Sequence, residues 1–260
     1  MTVAAPPQLY VEEHGTGQPL LLIEGLGQSI WAWREQIPVF ARRFRTIAYD
    51  TRGTGRSVVP TEPYGIDDLA ADAARVLGGR RAHVVGFSMG GYVALTLALS
   101  RPELVQSLVL AATGAGGPDR VPRSQHVRDA FADAVGLPYG EYGRRILPLT
   151  FSSGWTERNR ERVEQILAAR GEHPTADATL DAHVQACYGF YARGCTVEHI
   201  DVPALVVHGS EDLIVPVENG RLLASRLPNV EYVELAGVGH NLQLEVPETF
   251  NELVLEFLTR

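Results

Sequence analysis

The chain has no lysine: all 23 of its basic residues are arginines. Without a side-chain amine there is nothing to form a Schiff base and no lysine to complete a phosphate-binding P-loop, so both chemistries are excluded. Cysteine is nearly absent, with only Cys187 and Cys195 and no C-x-x-C spacing between them. Two ordinary thiols are expected rather than a disulfide or redox pair. The eight histidines form no H-E-x-x-H or clustered ligand pattern, so no metal site is expected. No apolar run is long enough to span a bilayer, and Met1 to Val11 has neither a basic start nor a continuous apolar stretch. The expectation is therefore a cytoplasmic protein with no signal peptide and no membrane partner. A net charge of −8 argues against nucleic acid or an anionic membrane surface as a partner.

What is present is 260 residues, 45% hydrophobic and 21% charged, enough for one sizeable core. Within them, Gly86-Phe-Ser-Met-Gly90 follows the apolar run Ala82 to Val85 and precedes the apolar stretch Gly91 to Leu99. Buried strand, G-x-S-x-G, helix is the setting of a nucleophile elbow, a sharp turn that lifts a serine out of the backbone at a helix start. Ser88 is the candidate nucleophile; the plainer role for a serine at that position is a helix N-cap.

A serine hydroxyl is a weak nucleophile on its own, so it needs a general base and a group to orient that base. The run Ala204 to His208 is an apolar strand ending in a polar loop that carries Asp212 before a Pro-initiated helix. Tyr232 to Ala236 is a further strand, and Gly237-Val-Gly-His240 puts a histidine on a glycine-flanked loop. Ser88, Asp212 and His240 thus occur in the chain order that accompanies such an elbow. Asp212 competes with Glu211 beside it, and the spacing from His208 to Val215-Pro216 favours Asp212. His240 competes with His208, which is expected to end a strand with its ring satisfied.

Short apolar strands near residues 8–13, 20–24, 45–49, 82–86, 105–111, 204–208 and 230–235 alternate with helices near 30–42, 66–78, 89–100, 217–226 and 247–259. This alternation predicts an α/β fold with a mostly parallel sheet and helices on both faces. From about Gly114 to His199 the strands vanish and helical segments follow one another. The expected division is a core of residues 1–113 and 200–260 and a helical insertion at 114–199.

With Tyr49-Asp-Thr-Arg-Gly-Thr-Gly-Arg-Ser57, His208-Gly-Ser-Glu-Asp212, and Gly239-His240 followed by Glu245, Pro247 and Phe250, the chain resembles an α/β-hydrolase over nearly its whole length. It is most similar to small bacterial serine hydrolases with a helical cap: esterases, enol-lactonases, carbon–carbon bond hydrolases and perhydrolases. The resemblance implies a twisted, mostly parallel sheet with the cap inserted after the sixth strand, and a Ser88–His240–Asp212 triad that needs no cofactor. It also implies an oxyanion hole made by the backbone N–H groups of Met89 and Leu26. Glu24 stands where a histidine is usual in the turn before Leu26; a carboxylate there would oppose an oxyanion, so Glu24 is expected to point behind the turn, be protonated, or pair with Arg52 or Arg56, and its expected role is to brace the turn. Asp50, Arg52 and Gly53 are expected to hold turns under the site.

The substrate pocket is expected between core and cap, with Trp31, Phe151, Trp155 and Tyr188 as walls and Tyr139 among further candidates. The function expected is hydrolysis of a small, largely apolar carboxylic ester or lactone. Enol-lactone opening is the first alternative. Carbon–carbon hydrolysis is less favoured because Asn241 follows the histidine where those relatives usually carry Trp, and perhydrolysis because Gly27 replaces their Pro. A non-catalytic small-molecule receptor on the same scaffold is the reading of a different class.

Overall fold

The computed structural model describes residues 8–260. The reading of Met1 to Val11 therefore lies, for its first seven residues, outside the described ones. The strand β4 (Ala82–Phe87) is buried along its whole length, as a run so poor in polar side chains requires, and it lies at the middle of a seven-stranded sheet. The sheet order is β1-β3-β2-β4-β5-β6-β7. Here β1 is Val11–His14, β2 Pro19–Ile23, β3 Arg45–Tyr49, β5 Val105–Ala111, β6 Ala204–Gly209 and β7 Val230–Leu235. Only β1, paired with β3, runs antiparallel.

Because side chains alternate along a strand, Leu21 and Ile23 feed one hydrophobic cluster while Leu20 and Leu22 feed another on the opposite face. The first is closed by α2 (Ile66–Leu77) and α3 (Met89–Ser100). The second is closed by Trp33, Phe40 and α11 (Pro247–Leu258). The single helix expected over 30–42 is instead a 3₁₀ turn, Ile30–Trp33, followed by the short α1, Ile37–Phe40. Pro38 is the cause: it has no N–H to bond back to Arg34, so it can start a helix but not continue one.

Between β5 and β6 lie α4 (Gln125–Ala132), α5 (Tyr139–Ile146), α6 (Trp155–Arg158), α7 (Arg160–Glu172) and α8 (Asp177–Arg193). This helical segment follows the strand ending at Ala111, the fifth described here, and precedes the strand starting at Ala204. It is not a separate body, since Ala186, Cys187 and Phe190 of α8 pack into the same cluster as α2 and α3. Cys187 and Cys195 are both free thiols. The remaining helices are α9 (Val217–Arg226) and α10 (Leu242–Glu245). Among the described residues no helix is long and apolar enough to cross a membrane.

The strand order decides where a site can form. From β2 the chain moves outward to β3, then crosses back to β4 and continues in the opposite direction through β7. The reversal lies between β2 and β4, and the crevice beyond the carboxyl ends at such a reversal is the usual ligand position in an open parallel sheet. Ile23 is paired with Gly86, so the turn after β2 and the turn after β4 face each other across it.

Candidate active site

Ser88 has φ +54° and ψ −116°, a conformation that costs a non-glycine residue roughly 1–3 kcal/mol and persists only where neighbours enforce it. The neighbours are identifiable. Ser88 N–H donates to the Ala111 carbonyl at 2.9 Å, and the Ser88 carbonyl accepts from the Thr113 hydroxyl at 2.8 Å and Gly91 N–H at 2.9 Å. A Cβ on Gly86 would strike the Gly90 carbonyl and one on Gly90 would strike the Ile23 carbonyl, so the glycines permit strand and helix to meet this closely. The Ser88 side chain makes no capping bond to α3. Its Oγ lies 3.0 Å from His240 Nε2 instead, which removes the N-cap role.

His240 is carried by the loop after β7. Glu245 in α10 steadies that loop by accepting Gly239 N–H at 3.0 Å and Ser152 N–H at 3.1 Å, together with the Ser152 hydroxyl. On the other side of the imidazole, His240 Nδ1 is 2.7 Å from Asp212 Oδ2. Asp212 is itself fixed locally, its Oδ1 accepting the N–H groups of Ile214 and Val215, each at 2.8 Å. Glu211 is exposed and accepts Ser153 N–H at 2.9 Å, facing away from His240's partner.

The second histidine, His208, departs from the expected satisfied ring. Its Nε2 sits 2.8 Å from the Val215 carbonyl and 3.1 Å from Asp212 Oδ2, while its buried Nδ1 has no partner. The carbonyl requires a proton on Nε2, so Asp212 receives N–H groups from two imidazoles. Burial alone would push the Asp212 carboxyl up. The attraction of His240 and the hydrogen bonds from His208 and His240 outweigh it and hold the group well below the usual carboxylate range. An ionised Asp212 keeps the His240 proton on Nδ1 and leaves Nε2 as the acceptor facing Ser88. That arrangement can withdraw a proton from the serine hydroxyl as it attacks a carbonyl carbon.

Met89 is the first residue of α3, and its N–H has no helical carbonyl behind it. Across the crevice, Gly25 to Gln28 form a turn in which Gln28 N–H meets the Gly25 carbonyl at 3.2 Å and Gln28 Oε1 accepts Gly25 N–H at 3.2 Å. Leu26 lies at the centre of that turn. Of the alternatives open to Glu24, pairing with Arg52 or Arg56 is not the one found. Arg52 is held by Asp72 at 2.6 and 2.8 Å, and Arg56 by Glu12 at 3.0 Å and Asp50 at 3.5 Å. Glu24, 0% exposed, instead accepts Thr51 N–H at 2.8 Å on Oε1, with Oε2 unpartnered. Burial, helped by nearby Asp50, pushes its carboxyl up to about 8, so at neutral pH it is an uncharged acid bracing the Asp50-Thr51 turn.

The expected pocket walls fare differently. Phe151 and Trp155 are buried and stack on each other at 4.1 Å, forming a cluster with Leu147, Ile166 and Leu244 against which Trp31 packs. They fill a core rather than facing open space. Tyr188 is 60% exposed, because α8 turns Leu180, His183, Cys187 and Phe190 inward and leaves position 188 outside; it is no pocket wall. Sequence reasoning gave no positioning role to His208 or Glu245, although both lie inside motifs that were read.

The sequence model of the alpha/beta hydrolase fold matches residues 18–247. The protein named "Putative carbamate hydrolase RutD" of Caulobacter segnis is 33% identical over 272 residues, covering 99% of each chain. Among solved structures, the enol-lactonase from Burkholderia xenovorans LB400 superposes with a TM-score of 0.85 at 27% identity, covering 98% of this chain and 97% of its own. Est816, described as an N-acyl homoserine lactone degrading enzyme, does so with a TM-score of 0.82 at 29% identity, covering 96% and 97%. With that match spanning most of its length, this chain belongs to the alpha/beta hydrolase fold family.

Proposed function

We propose that this hydrolase cleaves a small, largely apolar carboxylic ester or lactone through an acyl-enzyme on Ser88. The observation that carries the reading is the continuous line Ser88 Oγ, His240 Nε2, His240 Nδ1, Asp212 Oδ2, with separations of 3.0 and 2.7 Å. In this mechanism His240 takes the hydroxyl proton during attack, and Asp212 stabilises the imidazolium. The N–H groups of Met89 and Leu26 receive the oxyanion, each worth about 3–4 kcal/mol in the transition state. His240 then protonates the leaving group and activates the water that releases the acid. Residues 114–199 act as the cap over this site.

The lactone form of the reading is supported by the two structural relatives described as an enol-lactonase and an N-acyl homoserine lactone degrading enzyme. Carbamate cleavage is a second reading, favoured by the name of the relative matched over 99% of its length; the same serine would attack a carbamate carbonyl, with the same N–H groups receiving its oxyanion. The first test is labelling by a fluorophosphonate with peptide mapping, alongside Ser88→Ala and His240→Ala. A stoichiometric adduct on Ser88, lost in both variants, supports the enzyme and is followed by ester, lactone and carbamate panels. No adduct on the folded chain would sink the nucleophile assignment and favour the receptor reading.

A further inference from the structure

The peptide next to Leu26 is gripped from outside the sheet. The Gly27 carbonyl accepts the Tyr139 hydroxyl at 3.1 Å and the Thr175 hydroxyl at 3.0 Å, and Gly27 N–H donates to His183 Nδ1 at 3.2 Å. These three side chains come from the start of α5, the residue before the α8 cap, and the second turn of α8. Leu180 lies against the Gly27 Cα, where φ is +65° and any Cβ would collide with it.

Two features make this grip more than incidental packing. The turn is weakly held by its own chain: its two internal bonds are both 3.2 Å, and glycines on each side of Leu26 leave that peptide free to rotate. Leu26 N–H shares a planar peptide with the Gly25 carbonyl, which accepts Gln28 N–H at 3.2 Å, and Gln28 N–H shares one with the Gly27 carbonyl that Tyr139 and Thr175 hold, so the grip on Gly27 is passed to the direction of Leu26 N–H. The second feature is the chemistry of His183. To accept at Nδ1 the ring must be neutral with its proton on Nε2, and that buried Nε2–H has the Arg52 backbone carbonyl as the acceptor beside it. The Tyr64 ring stands edge-on at 5.8 Å and the Arg52 charge faces the same imidazole. Burial, with that charge, pushes His183 down to about 4, so its acceptor is available throughout the neutral range.

We propose that Tyr139, Thr175 and His183 are positioning residues that aim Leu26 N–H at the oxyanion, making the helical segment a part of the oxyanion hole's support and not only a cover for substrate. This rests on the reading of Ser88 as nucleophile and Leu26 as donor. One consequence is that displacement of α5 and α8 from the turn would loosen the hole, so stabilisation of the tetrahedral intermediate depends on a seated cap.

The test uses the full chain, the double variant Tyr139→Phe/Thr175→Val, and His183→Leu and His183→Asn. The substituted Asn can place its Oδ1 near the position of Nδ1 and so restore an acceptor. Three quantities are read: the rate of Ser88 phosphorylation by paraoxon, followed by p-nitrophenolate release; kcat and KM for p-nitrophenyl acetate; and Tm. Losing an oxyanion donor outright costs about 10²–10³-fold, so loosening one is expected to cost about 10-fold in phosphorylation and in kcat, with KM within about twofold. His183→Asn is expected to recover most of the loss seen in His183→Leu. Variants that react at the wild-type rate, or whose loss appears in KM or tracks Tm without rescue by Asn, overturn the positioning role while leaving Ser88 as nucleophile. A wild-type chain that forms no adduct overturns the underlying reading and this inference with it.

Discussion

Asp212 takes its two backbone hydrogen bonds from residues two and three positions farther along the chain, whereas Gly27 is held by side chains 112 to 156 residues away. The Asp212 loop fixes its carboxylate by local turn geometry, and Ser88 and His240 add to their own turns only the neighbouring strand end and Glu245. The helical segment works the opposite way: no side chain in it has a site role until α5 and α8 are packed on the sheet. A defect in the first region is therefore expected to remove chemistry, and a defect in the second to remove stability or alignment.

The largest effect expected is in the first region. Asp212→Asn leaves an acceptor for Ile214 and Val215 but no longer favours the Nδ1–H tautomer of His240, so kcat for p-nitrophenyl acetate is expected to fall about 10⁴-fold with KM little changed. Glu211→Gln, one residue away on an exposed side chain, is expected to leave kcat within about twofold. If the two variants lose activity equally, local fixation of Asp212 is not what matters.

The second region supplies the next effect. Trp155 is stacked on Phe151 inside the cluster with Leu147, Ile166 and Leu244, so Trp155→Ala is expected to cost about 3–5 kcal/mol of unfolding free energy by denaturant titration. Because the pair fills a core, KM for the aryl ester is expected to stay put. A raised KM without loss of stability would restore Trp155 as a pocket wall.

Glu24 lies where the two regions' rules meet, at a strand end yet held by burial. Its carboxyl titrates near 4.5 in the unfolded chain and about 8 in the fold, so between those values the folded state binds more protons. Stability from this group is present below pH 4.5 and is lost as pH rises toward 8, at up to about 1.4 kcal/mol per pH unit. Tm measured from pH 5 to 8.5 is expected to decline less steeply in Glu24→Gln than in the wild-type chain, with Asp50, Tyr49 and Arg52 as the other charged or titratable groups nearby. Parallel curves would mean that Glu24 is ionised in the fold.

How much could be read from the sequence follows the same division. The elbow, the Asp212 loop and the His240 loop were legible because turn chemistry ties a residue type to a place within a few positions: glycine where backbones meet, Pro216 opening a helix, an apolar run ending at a polar loop. The central parallel strands β2, β4, β5 and β6 were legible because they are buried on both faces, whereas the edge strand β7 is only half-buried. Glu24's partner was not legible, because Arg52 and Arg56 stand at the neighbouring strand end but are claimed by Asp72, Glu12 and Asp50, a competition that only packing decides. The aromatic residues of the helical segment were misread for a related reason. Aromatic content identifies candidate surfaces, but which side of a helix faces inward depends on how that helix docks, and Tyr139, Thr175 and His183 acquire a target only when Gly27 is beside them.

The smallest expected effect gives the sharpest check on that docking. Tyr188 is 60% exposed, with Tyr191 edge-on at 6.2 Å, so Tyr188→Ala is expected to change stability by no more than about 0.5 kcal/mol and to leave KM and kcat unaltered. A marked rise in KM would require position 188 to face substrate. On a helix of 3.6 residues per turn, bringing it inward rotates Leu180, His183 and Phe190 outward together. Phe190 would leave its stack on Tyr92, now at 4.6 Å, and His183 would release Gly27. A null result at Tyr188 and a loss at His183 are thus two readings of one helix orientation, and they must be obtained together.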